Sequence, residues 1–180
     1  MKHVARFSSV SPVIAEVLKD ITSFRAPAEI FENEKTLDLG GVRVRLLMLG
    51  PGHTRGDTVV FVEEDRVLFS GDLAMKRLFP AFATPQSSSR SWLASLDRLD
   101  ALRARTVIGA HYPVTDASVI GEYRELLTAL QARVAELKRQ GKSSDDAAVA
   151  LRGEFKDKYP DWDQPLRIHN AATAIYAELP

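Results

Sequence analysis

The chain has 180 residues and no cysteine, and its 24 lysines and arginines balance 24 aspartates and glutamates. A hydrophobic share of 45% and a charged share of 27% belong to a globular chain, not a disordered one. Zero net charge gives no general attraction to nucleic acid or an anionic membrane, and the lack of cysteine excludes disulfides, thiolate nucleophiles and cysteine metal sites.

No apolar run approaches the ~20 residues of a membrane span. The opening MKHVARFSSVSPVIAEVL is interrupted by serines, a proline and a glutamate, so it does not read as a signal peptide. The compartment stays open, since a cysteine-free protein suits cytosol and periplasm alike; the missing signal favours the cytoplasm. There is no internal repeat and no linker, which predicts a single domain over 1–180.

Residues 11–21 place Val13, Ile14, Val17, Leu18 and Ile21 at helical spacing behind Ser11, a capping residue. A polar connection follows. From Thr36 the period changes to two. Val42, Val44, Leu46 and Met48 alternate with Arg43, Arg45 and Leu47, which predicts a strand pair around Gly40-Gly41. Two more strands, Thr58–Val62 and Arg66–Phe69, are joined by a hairpin at Glu63-Glu64-Asp65. The first is almost wholly apolar, as a strand buried on both faces would be. Residues 73–90, with two prolines and a serine cluster, predict a long loop of the kind that is functional or mobile.

A helix over 91–105 carries Trp92, Leu96, Leu99 and Leu102 on one stripe. Thr106–Ile108 is a short apolar strand that runs toward His111. A longer helix over 117–140 repeats Val119, Tyr123, Leu126, Leu130, Val134 and Leu137 with the 3.6 period and ends before Gly141. A capping serine with Asp145 and Asp146 behind it starts a further helix, and residues 166–179 predict the last. The order is strands first, then strand–helix alternation, then a helical tail.

His53, Asp72 and His111 each stand where an apolar strand gives way to a loop. Strand ends on one side of a sheet are where such folds collect their sites. Two imidazoles and a carboxylate suit a borderline metal such as zinc. Taken singly, each also has a plain reading: a turn histidine with a satisfied hydrogen bond, a turn-starting aspartate, a loop histidine before Tyr-Pro.

The stretches GPGHTRGDTVVFVEEDRVLFSGDL (50–73) and VIGAHYPV (107–114) resemble the C-terminal half of the metallo-β-lactamase superfamily. The resemblance covers about residues 36–125, with the tail over about 126–180 compatible. It implies the C-terminal half of an αββα sandwich: an α/β chain of α+β type, with one mostly antiparallel sheet covered by helices plus a C-terminal helical tail. Carried over by position, His53 binds one zinc ion, Asp72 bridges two, and His111 binds the second. Manganese or iron are alternative metals. Asp72 is then also the catalytic carboxylate, and an aspartate there resembles the thioesterase (glyoxalase II-like) and general hydrolase branches. Thr54 and Asp57 would hold the loop and orient the imidazole, with a plain turn acid the alternative for Asp57. The glycines beside His53 would let the backbone turn sharply.

The departure from the family matters too. Its H-x-H-x-D-H signature lies upstream of the G-H-T turn, whereas only His3 precedes that turn here, and no two of the four histidines are two residues apart. The chain therefore reads as a C-terminal half with a short leader. Each metal would keep only two protein donors, where a catalytic zinc has three and an open position. A metal-dependent hydrolase acting on a small-molecule ester, thioester or related bond is expected by resemblance, and a poor one alone unless His3, another carboxylate or a partner chain contributes. The alternative is a non-catalytic fragment serving as an interaction or assembly module. In either case self-association, a complementing N-terminal half or partial cover by residues 1–34 is expected at the inner sheet face. Phe79 and Phe82, in the long loop, either line a substrate channel or cover the core edge. Trp92 and Trp162 read as core or helix-docking residues, and His169 as a surface or helix-packing residue.

Overall fold

Period-two hydrophobicity turns into strand pairing wherever a tight turn brings two such runs side by side. At Gly40-Gly41, both glycines take left-handed backbone conformations, and their amides donate to Asp38 Oδ1 at 2.9 and 3.0 Å. The turn joins β1 (Glu34–Asp38) to β2 (Arg43–Met48) as an antiparallel pair. β3 (Thr58–Val62) pairs antiparallel with β2, and β4 (Val67–Gly71) with β3. β5 (Thr106–Gly109) lies parallel to β4, so the sheet has the order β1-β2-β3-β4-β5. The sheet is antiparallel except at this last pair. The fold class is the one expected.

The computed structural model describes residues 2–23 and 25–180; the side chains of Lys2, His3 and Arg6 lie outside the description. The expectation of an added donor from His3 therefore falls outside the described residues. The chain packs as two units, Met1–Phe31 and Glu32–Pro180. The first contains two short helices, Lys2–Ser8 (α1) and Pro12–Leu18 (α2). Ser11 caps α2, its hydroxyl accepting from the Ile14 amide at 3.2 Å, and Pro12 starts it with the φ a first helical turn needs. α1 has no counterpart among the elements expected from sequence. The apolar spacing behind Ser11 does not become a buried stripe either, since Val13 and Val17 are 73% and 72% exposed.

In the second unit, α3 (Ser89–Ala101) crosses from β4 back to β5. α4 (Ser118–Arg139), α5 (Ser144–Lys158) and α6 (Arg167–Glu178) follow. Ser88 caps α3 and Ser143 caps α5, where Asp145 and Asp146 complement the helix dipole. The stripes read from sequence are the ones buried: Trp92, Leu96 and Leu99 on α3, and Val119, Tyr123, Leu126, Leu130, Val134 and Leu137 on α4.

These helical stripes meet one face of the sheet, formed by Leu47, Val59, Phe61, Leu68 and Val107. Register fixes this set, because Leu47 pairs with Val59, Phe61 with Leu68, and Leu68 with Val107. The alternate residues, Val44, Leu46, Val60, Val62, Val67, Phe69 and Ile108, form the other face and none joins the core cluster. The apolar run in β3 is therefore not buried on both faces as expected. Val59 and Phe61 are core, whereas Val60 and Val62 are half-buried. The loop after β4 is also no mobile flap. Leu73, Ala74, Met75, Leu78 and Phe79 are almost wholly buried, so the segment closes the core.

Leu68 is fully buried in β4 between two paired strands. Leu68→Ala is expected to lower stability by about 2–5 kcal/mol. Val149→Ala on exposed α5 surface should shift it by no more than about 0.5 kcal/mol. Urea-unfolding midpoints of the two variants test this contrast.

Candidate functional site

His53 sits in a turn closed at both ends by one residue. The Asp57 carbonyl accepts from the Leu49 amide at 2.8 Å. Its carboxylate accepts from the Gly52 amide (2.9 Å), the Thr54 amide (2.9 Å) and the Thr54 hydroxyl (2.6 Å). The reason for glycine here differs from the one expected. Neither Gly50 nor Gly52 is left-handed; both are pressed against neighbours. A Cβ on Gly50 would stand 2.5 Å from the Arg55 carbonyl oxygen, and one on Gly52 2.7 Å from Leu73 Cδ2. Close approach, not an unusual dihedral, demands glycine.

The imidazole that this turn presents is fixed by a partner from the loop after β4. Its Nδ1 lies 2.6 Å from the Ala81 carbonyl oxygen. A carbonyl only accepts, so Nδ1 is the donor, and in the neutral ring the lone pair then falls on Nε2. The ring edge packs on Trp92, with centroids 6.2 Å apart. The Ser87 hydroxyl and the Ala83 amide both donate to the His53 carbonyl, at 2.5 and 3.2 Å, so the loop grips the backbone as well.

Asp72 leaves β4 directly after Gly71, whose φ of 58° turns the chain off the sheet. His111 leaves β5 beside it, and the Ala110 amide donates to the Gly71 carbonyl at 2.9 Å. The result is a shared carboxylate. Asp72 Oδ2 is 3.9 Å from His53 Nε2, and Asp72 Oδ1 is 3.5 Å from His111 Nε2. His53 and Asp72 are about one-fifth to one-quarter exposed and His111 is half exposed, so the cluster is open to solvent on the His111 side.

The model of the metallo-beta-lactamase superfamily matches residues 3–111, three-fifths of the chain, and ends at this second histidine. The chain belongs to the metallo-beta-lactamase superfamily. Solved structures agree on the fold. A metallo-beta-lactamase family protein from Thermus thermophilus is 22% identical, with 98% of this chain and 56% of that one covered, at a TM-score of 0.60. A metallo-beta-lactamase from Pontibacter korlensis is 24% identical, with 66% and 56% covered, at a TM-score of 0.52. A stereoselective inverting sec-alkylsulfatase from a Pseudomonas species is 15% identical, with 85% and 26% covered, at a TM-score of 0.62. The chain thus spans little more than half the length of the first two. Among curated proteins no sequence match is found.

Superfamily members commonly bind metal ions, so the donor set has to be weighed for that chemistry. The donor types fit: two imidazoles, the first with Nε2 free, face the two oxygens of one carboxylate. The donor count does not. Among the described residues no group of three or more His, Cys, Asp or Glu side chains is disposed to hold an ion. His53, Asp72 and His111 meet in two pairs through Asp72. That arrangement falls short of the three donors a catalytic zinc takes.

The other expected residues divide. Thr54 and Asp57 do hold the loop, but their hydrogen bonds go to the turn itself, and the imidazole is oriented by Ala81. Phe79 cannot line a channel, because it is 0% exposed, packed against Tyr159 and Trp162. The competing reading, that it closes the core, is the one the structure supports. Phe82 is half-buried on Trp92 and lines a cleft of about 520 Å³ together with Ser87, His169 and Asn170.

Nothing in the sequence pointed to Ala81 or Ser87, since a carbonyl acceptor is independent of residue type and one serine in a serine cluster does not stand out. Tyr112 was equally silent. That residue has φ 71°, and its hydroxyl donates to Asp163 Oδ2 at 2.5 Å. The bond to this carboxylate pushes the phenol pKa above its ordinary value.

Asp57→Ala removes three hydrogen bonds to one partly buried carboxylate and is expected to cost on the order of 2 kcal/mol. Asp57→Asn should recover part of that. Denaturant unfolding of both variants measures the difference.

Proposed function

We propose that this chain supplies one side of a metallo-hydrolase active site, in which water is added across an ester, thioester or related bond of a small molecule. The observation that carries the reading is the arrangement at Asp72, whose two oxygens face the Nε2 atoms of two different histidines. As surface ion pairs these contacts would be worth little, so stability alone does not account for both. His53 with Asp72 would hold one ion and Asp72 with His111 a second, zinc being favoured by the nitrogen and oxygen donors and manganese or iron being alternatives. A bound ion would polarise the scissile group and lower the pKa of water toward ~7. The chain's own part is to present the donors: Ala81 holds His53 in the tautomer with Nε2 free, and Asp57 fixes the turn that carries it.

With two donors per ion, tight loading depends on donors from outside the described set. Elemental analysis of the purified chain is expected to find zinc well below two equivalents, reduced further in Asp72→Ala. Assays with zinc or manganese on thioester, lactone, phosphodiester, alkyl sulfate and β-lactam substrates should give turnover below the ~1–10³ per second of ordinary enzymes. Turnover in that range would refute the dependence on outside donors. Uptake unaffected by Asp72→Ala would refute the site.

A second reading, an interaction module that assembles through the sheet, is favoured by the apolar face outside the core cluster. Phe69 is 42% exposed there, beside half-buried Val60, Val67 and Ile108. A contiguous apolar face of this kind marks an association surface. Self-association through it should give species larger than one chain in sedimentation at micromolar concentration, and Phe69→Glu should shift them toward the monomer. A monodisperse monomer in the unsubstituted protein would exclude this reading.

A further inference from the structure

His53 is held by its own ring bond to Ala81, but among the described residues the His111 imidazole has no hydrogen bond besides its approach to Asp72. Its position must come from the backbone on either side. Upstream, Ala110 is tied to Gly71. Downstream stands Tyr112, a bulky residue in the left-handed region, where L side chains are strained and persist only when surroundings impose it.

What imposes it comes from far along the chain. Between α5 and α6, Asp163 makes three bonds to the two loops that carry the site. Its amide donates to the Arg77 carbonyl at 2.9 Å, and its carbonyl accepts from the Phe79 amide at 3.2 Å, a short parallel bridge onto the loop that Asp72 begins. Its side chain accepts from the Tyr112 hydroxyl at 2.5 Å, on the loop that His111 begins. The segment around it is itself anchored. Trp162 packs on Phe79 and Tyr123 at 5.5 and 6.1 Å, and the Tyr123 hydroxyl donates to the Leu78 carbonyl at 2.8 Å.

We propose that Asp163 and Tyr112 form a tie that sets the spacing of His111 from Asp72, making them positioning residues for the His111 imidazole. Its bearing on metal affinity rests on the metal-site reading above; its bearing on His111 placement does not. Both residues lie beyond the stretch that the family model matches. The two halves of the tie separate cleanly. The backbone bridge fixes Asp163 to the Asp72 loop whatever its side chain, and the carboxylate alone reaches the His111 loop.

The test uses Tyr112→Phe, Asp163→Ala and the conservative Asp163→Asn, whose amide oxygen can still accept from the phenol. In heteronuclear NMR of the apo-protein, Tyr112→Phe and Asp163→Ala should shift or broaden the His111 ring signals and leave those of His53 in place. Asp163→Asn should restore the original His111 signals. Cobalt(II) titrated against the same proteins should bind about tenfold more weakly in the first two variants and near the unsubstituted level in Asp163→Asn. If the unsubstituted chain takes up no cobalt, the metal reading fails while the NMR comparison still judges the tie. Unchanged His111 signals in folded Tyr112→Phe would overturn the tie, as would equal disturbance of both histidines. Tyr112 is 45% exposed, so its loss of one hydroxyl keeps the test decisive if Asp163→Ala does not fold.

Discussion

One indole holds the parts of this site in common. Trp92 is fully buried on α3, and its Nε1 donates to the Leu73 carbonyl at 2.9 Å, directly after Asp72. Its ring lies 6.2 Å from that of His53, 5.4 Å from Phe82 and 6.0 Å from Tyr123 between centroids. Gly52 lacks a side chain partly because Trp92 occupies the space, a Cβ there falling 3.2 Å from Cγ. The histidine turn, the aspartate loop and helix α4 thus share a single packing partner on α3. Interiors are close-packed, so displacement of one of these elements is transmitted to the others.

The sheet and the helices were legible because period and caps agreed. Alternation around Gly40-Gly41, the run before Glu63 and the 3.6-period stripe of α4 all became the elements they predict, and Ser11 and Ser143 cap where they should. What pattern could not convey was which face is covered. The apolar Val60 and Val62 suggested burial on both sides, yet only their neighbours Val59 and Phe61 meet the helices. Hydrophobicity records what a residue tolerates, whereas the core records what is placed opposite it.

The site was legible in part for a related reason. His53, Asp72 and His111 announced themselves by chemistry and by standing at strand ends, and the sheet does bring them together around Asp72. The groups that aim them were silent. Ala81 acts through a carbonyl that every residue possesses, and Asp163 lies ninety-one positions after Asp72 (163 − 72) in a segment with no motif. The Gly-Pro-Gly run marks the turn, but the reason for glycine lies elsewhere, since clearance from Leu73 and Arg55 depends on folded neighbours that the sequence does not name.

The direction of β5 has a consequence of its own. β4 and β5 run parallel and finish together at Gly71 and Gly109, while β3, antiparallel to β4, starts at the same rim. The candidate side chains His53, Asp72 and His111 therefore leave from one rim of the sheet, and the Gly40-Gly41 and Glu63–Asp65 hairpins occupy the opposite rim. The sheet thus has one rim that bears the candidate donors and one rim of hairpins. Loops at the donor-bearing rim can be lengthened or reshaped without disturbing the strand register that sets the donors' spacing.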